Sequence, residues 1–186
     1  MAILVQREKG NTGYEEVGPQ NPLATELLDA SGEPLATSLR EIVTTSRCFS
    51  TDTVIVPGIG AAVAYATGDA FGTRFSFAVR KEGTIQTVVF IDKDDEGINK
   101  ELVLFRREFT ATADNAAFAP SDGDLMYCVG VVSITTWFNF GSNQIGIATP
   151  GLFYVAPDEI LYCQIVTRGA DDIAAGSIPA VFMVVT

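Results

Sequence analysis

From Cys48 onward, apolar and polar positions alternate in short runs broken by Gly, Pro, Asn and Asp. The clearest run is Arg74-Phe75-Ser76-Phe77-Ala78-Val79-Arg80, where a two-residue period puts Phe75, Phe77 and Val79 on one face of a strand. Residues 53–56, 61–65, 85–91, 102–109, 125–135, 144–148, 153–155, 160–167 and 178–185 are likewise apolar or alternating and rich in β-branched and aromatic side chains. No stripe of period 3.6 and helical length interrupts them. The pattern predicts an all-β fold, a jelly-roll-like β-sandwich of about 8–10 strands over residues 46–186. Strand count favours this over an immunoglobulin-like sandwich. Trp137 also follows Cys128 instead of lying between two paired cysteines.

Residues 1–45 read differently. Gly10, Gly13, Gly18, Pro19, Pro22, Gly32 and Pro34 interrupt every apolar run. A short strand is predicted at Ile3-Leu4-Val5, followed by an extended N-terminal arm. Asn21-Pro22-Leu23 and Glu33-Pro34-Leu35 repeat one small unit, a turn, a proline and a leucine free to dock. The residue before each proline is driven to extended backbone, which disfavours helix there. Ile3, Leu4 and Val5 are the candidates for adding a strand to a neighbouring sheet, with Leu23 and Leu35 as docking side chains.

Charge narrows the partners. Of 186 residues 47% are apolar, enough for a substantial core, and 12 Lys and Arg face 23 Asp and Glu, a formal charge of -11. That field repels phosphate backbones and anionic lipid, which argues against nucleic-acid and membrane binding. The opening Met1-Ala2-Ile3-Leu4-Val5 is too short for a signal core and runs straight into Gln6-Arg7-Glu8-Lys9, so folding in a reducing cytoplasm is expected. Cys48, Cys128 and Cys163 are odd in number and sit beside apolar or aromatic neighbours, the pattern of small buried hydrophobes.

Candidate chemistry is sparse. With no histidine, the commonest general base, triad relay and transition-metal ligand are missing. No phosphate loop, Ser-x-x-Lys, G-x-S-x-G or clustered cysteine set is present, so neither an enzyme nor a cofactor is expected. Asp92-Lys93-Asp94-Asp95-Glu96-Gly97 has the oxygens and glycine of half a calcium loop, but Val103 stands where its bidentate Glu belongs. A solvated hairpin turn with Gly97 at positive φ is the simpler reading. Asp122-Gly123-Asp124 and Asp171-Asp172 also read as solvated turns. Were two such loops at one end of the sandwich, Asp92, Asp94, Asp122 and Asp124 could share a divalent ion. Trp137-Phe138-Asn139-Phe140-Gly141 is a dense aromatic patch, either capping the core or offering Trp137 and Phe140 to a partner or a sugar ring. Phe118, in an Ala/Pro-rich loop, is expected to plug the core.

The segment Asp114-Asn115-Ala116-Ala117-Phe118-Ala119-Pro120-Ser121-Asp122-Gly123-Asp124-Leu125 resembles tailed-bacteriophage virion proteins encoded near the head genes. Val88-Val89-Phe90-Ile91-Asp92, Leu102-Val103-Leu104-Phe105, Val129-Gly130-Val131-Val132 and Leu161-Tyr162-Cys163-Gln164-Ile165-Val166-Thr167-Arg168-Gly169 extend the likeness over roughly residues 85–186, with the arm matching loosely. The resemblance implies a capsid decoration (cement) protein on the outside of the head. Its partners would be the major capsid protein and further copies of itself, as a homotrimer or a dimer. A tail or fibre module that binds glycans or a receptor is the alternative.

Overall fold

A computed structural model of the chain describes residues 3–6, 14–17, 48–60 and 63–186. Met1–Arg47 and Cys48–Thr186 are separate units. In the first, β1 (Ile3–Gln6) runs antiparallel to β2 (Tyr14–Val17), with Ile3 opposite Val17 and Val5 opposite Glu15. The sequence predicts the first strand but not its partner, because Glu15 and Glu16 break the apolar signal between Tyr14 and Val17. Leu23 and Leu35 lie outside the described residues.

The second unit contains β3 (Phe49–Ser50), β4 (Val54–Ile55), β5 (Val63–Tyr65), β6 (Ala70–Ala78), β7 (Glu82–Asp92) and β8 (Lys100–Phe105). One helical turn, α1 (Asp122–Leu125), is capped by Ser121, whose hydroxyl accepts from the Asp124 N–H at 3.1 Å. Then come β9 (Cys128–Ile134), β10 (Thr136–Asn139), β11 (Gln144–Ala148), β12 (Leu152–Val155), β13 (Ile160–Thr167), β14 (Asp171–Ile173) and β15 (Ala180–Val185). Every pairing is antiparallel.

One large sheet has the order β10-β11-β7-β15-β3, with β12 also on β7 and β4 also on β15; the second large sheet has the order β6-β13-β8-β9, and β14 pairs with β5 in a separate two-stranded ribbon. The facing sides of the two large sheets share one core, including Phe75, Phe77, Phe90, Leu102, Leu104, Leu161, Ile165, Val181 and Met183. The architecture is an all-β sandwich, and this strand order does not establish the jelly roll. Phe75, Phe77 and Val79 are all buried while Ser76 and Ala78 are exposed, as the alternation predicts. A second cluster of Val103, Phe105, Phe109 and Val166 is sealed by Phe118, so that loop aromatic does plug a core.

Two long strands each pair with an interrupted partner. Ala148 faces Val88, yet Leu152 faces Ile85, so Thr149-Pro150-Gly151 bulges out and gives Pro150 a place where it owes no ladder bond. On the other edge Thr51 fills the break between β3 and β4: its N–H donates to Met183 O at 2.8 Å, and its hydroxyl accepts from the Met183 N–H at 2.9 Å. Such breaks raise the number of separate strands above the expected 8–10. The expected hairpin across 92–97 is not one. β7 and β8 lie in different sheets, and the acidic segment crosses from one to the other. Alternation reveals strands but not which ones pair.

Candidate functional site

Strand edges set the chemistry of this surface. Among the described residues β9 pairs with β8 on one side alone, and β12 pairs only with β7. Two open hollows lie along β9, and only the first reaches β12. One, of about 270 Å³, is lined by Arg106, Cys128, Val129, Phe153, Tyr154 and Val155. The other, of about 290 Å³, runs along Val131, Ser133 and Thr135 to Ile147 and Pro150.

Large apolar side chains stand exposed along the same edges. The two-residue period of β12 buries Tyr154 and turns Phe153 and Val155 to solvent, with Phe153 61% exposed. Val131 on β9 is also exposed, and Leu125 and Met126 at the end of α1 join it, Met126 at 75%. Scattered apolar residues are ordinary on a surface, whereas several on neighbouring free edges beside a hollow make an adhesive face. Nothing in the period alone singled these residues out, since a strand buried on one face and a strand exposed on an edge alternate alike.

The aromatic patch divides. Trp137 is half-buried, packs edge-on against Phe90 at 5.8 Å between ring centres, and points its Nε1–H at Asn99 Oδ1, 3.4 Å away. Phe138 and Phe140 are exposed. Trp137 and Phe140 therefore face different surroundings, one the core and the other solvent. Of the arm candidates, Ile3, Leu4 and Val5 have their backbones in register with Val17, Glu16 and Glu15.

At another end of the sandwich the acidic loops are reorganised. Asp92 is buried and accepts N–H bonds from Asp94 and Gly97, both at 2.9 Å, so its carboxylate folds its own loop. Gly97 has the expected positive φ of 59°. Asp122 and Asp124 precede β9, whose Cys128 faces Phe105 at the far end of β8 from Lys100, so a cation shared with Asp92 and Asp94 has no common site. Among the described residues no group of three or more Asp, Glu, Cys or His is placed to hold a metal. Asp171 and Asp172 form strand β14 instead of a solvated turn, and Asp171 is buried in contact with Lys100. A lysine flanked by Asn99 and Glu101 reads as solvated, so this pairing had no signal in the sequence.

The cysteines are all free, Cys163 buried, Cys128 half-buried and Cys48 exposed. Burial pushes the Cys163 thiol well up and the Cys128 thiol up, which keeps both in the unreactive protonated form. Among the described residues no helix is long and apolar enough to cross a membrane. Compared with known proteins, the chain matches no family model, no curated protein and no solved structure.

Proposed function

We propose that this chain is a non-catalytic virion subunit, a decoration protein that binds the outside of a phage head and clamps neighbouring major capsid subunits. The observation that carries the reading is the pair of strand edges, β9 and β12, left open among the described residues, with Phe153, Val155, Val131, Leu125 and Met126 exposed on or next to them. Burying a side chain such as Phe153 or Met126 against a partner contributes about 1.5–3 kcal/mol. A free edge also offers backbone groups for strand addition. Repeated over a homotrimer or dimer, modest contacts of this kind sum into firm attachment. The likeness of residues 85–186 to phage virion proteins directs the partner to the capsid shell, and the charge of -11 argues against nucleic acid and membrane.

Cryo-EM reconstruction of particles carrying the chain tests the location, and head shells assembled with F153D/V155D test the surface. The expected result is density over the shell between capsomers for the wild-type chain and loss of occupancy for the variant. Density on the tail, or full occupancy by the folded variant, would overturn the proposal. Exposed Phe138 and Phe140 supply the glycan-binding alternative, which predicts a fall in binding to cell-surface sugars when both are replaced by alanine.

A further inference from the structure

Lys100 opens β8 and Asp171 opens β14, and their side chains are 1% and 0% exposed. Lys100 Nζ touches Asp171 Oδ2 and donates to Ile98 O at 2.9 Å. Three rings enclose the amine, with Nζ 4.9 Å from the centre of Phe71 and 5.8 Å from those of Phe90 and Trp137. Thr167 Oγ1 lies 3.5 Å from Asp171 Oδ2, whereas Asp171 Oδ1 is buried with no hydrogen-bond partner among the described residues. A buried ion pair with an orphaned oxygen is a costly way to hold two strands together.

We propose that Lys100 and Asp171 react with each other, forming an intramolecular amide between Nζ and Cγ with release of water. The balance needs no other reactant. The ammonium first gives a proton to the carboxylate, leaving a neutral amine beside a carboxylic acid. The amine lone pair attacks Cγ, one further proton passes from nitrogen to the departing hydroxyl, and the C–O bond to Oδ2 breaks as water leaves. Oδ1 stays as the amide oxygen.

The surroundings favour each stage. Burial lowers the proton affinity of Lys100 against the opposing pull of Asp171, and burial raises that of Asp171 against the pull of Lys100; both shifts favour the neutral, reactive pair. Contact geometry replaces a collision by a held encounter, the largest advantage an intramolecular reaction has. Asp92, the other buried carboxylate, adds its charge to both partners and further raises the proton affinity of Asp171. Its two N–H bonds from Asp94 and Gly97 fix it there. The bond would close a loop of about 70 residues and tie β14 permanently to β8. This inference is independent of the capsid reading.

The test is mass spectrometry of the full chain, folded, incubated at neutral pH and then denatured. The expected mass is one water below that of the sequence, and proteolysis is expected to give a branched peptide joining the Lys100 and Asp171 segments. K100R keeps the charge but not the nucleophile and is expected to show the full mass, with a thermal midpoint lower on the order of 10 °C. Dehydration at Asp122-Gly123 would give the same mass, and the peptide map separates the two. Unlinked Lys100 and Asp171 peptides from the wild-type chain would overturn the proposal, as would a missing water in K100R. The wild-type map decides the matter even where K100R fails to fold.

Discussion

Gly72 is pressed against Pro57: a Cβ at Gly72 would lie 2.6 Å from the Pro57 carbonyl oxygen and 2.7 Å from Val56 Cγ1. The same carbonyl accepts the Thr73 N–H at 2.8 Å, so the turn after β4 is stitched to the outer edge of β6 and closes that side of the sandwich. Gly72 also has a φ of 73°. Backbone strain and a collision with a backbone oxygen therefore coincide. G72A is expected to lower stability by roughly 3 kcal/mol or more. Gly68 is the control, since its φ is 95° but no atom of the described residues lies within 4 Å of its Cβ position. G68A is expected to cost only about 1–2 kcal/mol, the backbone share alone. Urea denaturation of the two variants measures the difference, and equal losses would remove Pro57 from the explanation.

Asp114 gathers the same corner from the other side. Its carboxylate accepts the Gly72 N–H at 2.7 Å, the Gly60 N–H at 3.0 Å and the Tyr65 hydroxyl at 2.9 Å. Gln164 completes the anchoring, donating to Gly72 O at 2.9 Å and accepting from the Thr112 N–H at 3.1 Å. D114A strands three donors at once and is expected to cost about 2–4 kcal/mol in chemical denaturation. D114N keeps an acceptor and is expected to recover part of that loss. A D114A variant as stable as the wild type would mean that water replaces the carboxylate without cost.

How much of this was legible follows from the range of each interaction. The strand face of Phe75, Phe77 and Val79 is written in adjacent residues and could be read directly. Asp114 could not, because its partners stand 42, 49 and 54 positions away. What its carboxylate does here is hold a corner of the fold. Lys100 and Asp171 were hidden for a different reason: charge in a sequence signals solvent, and only the meeting of β8 with β14 reverses that. Phe153 and Val155 were visible as a strand, but their exposure depends on β12 being an edge, which is a property of the whole sheet.

The three rings of β10 and the turn beyond it separate core from surface. Trp137 rests on Phe90 and covers Lys100, whereas Phe138 and Phe140 project outward. W137A is expected to lower stability by about 2–3 kcal/mol, the range for removing a large, partly buried ring. F138A and F140A are expected to fall within about 0.5 kcal/mol of the wild type, as for other exposed positions. Thermal melts of the three variants check this. A large loss in F140A would place that ring in a contact within the fold.

Tyr65 gives the fold an alkaline limit. Burial first, then its hydrogen bond to Asp114 and the charges of Asp114 and Asp171, push its ionisation well above the ordinary tyrosine value. The folded phenol therefore holds its proton while the unfolded one releases it near pH 10. A group raised on folding contributes stability that is complete below the unfolded value and is lost as pH rises toward the folded one. Stability is accordingly expected to fall above about pH 10, with a contribution from Tyr65 approaching 1.4 kcal/mol per pH unit. Y65F gives up the bond to Asp114, about 1 kcal/mol at neutral pH, but has no proton to lose. Its stability curve is expected to run below the wild type at pH 7 and to converge on it as pH rises past 10. Urea midpoints for both chains between pH 7 and pH 11 make the comparison. Parallel curves over that range would mean that Tyr65 ionises alike in the folded and unfolded chain.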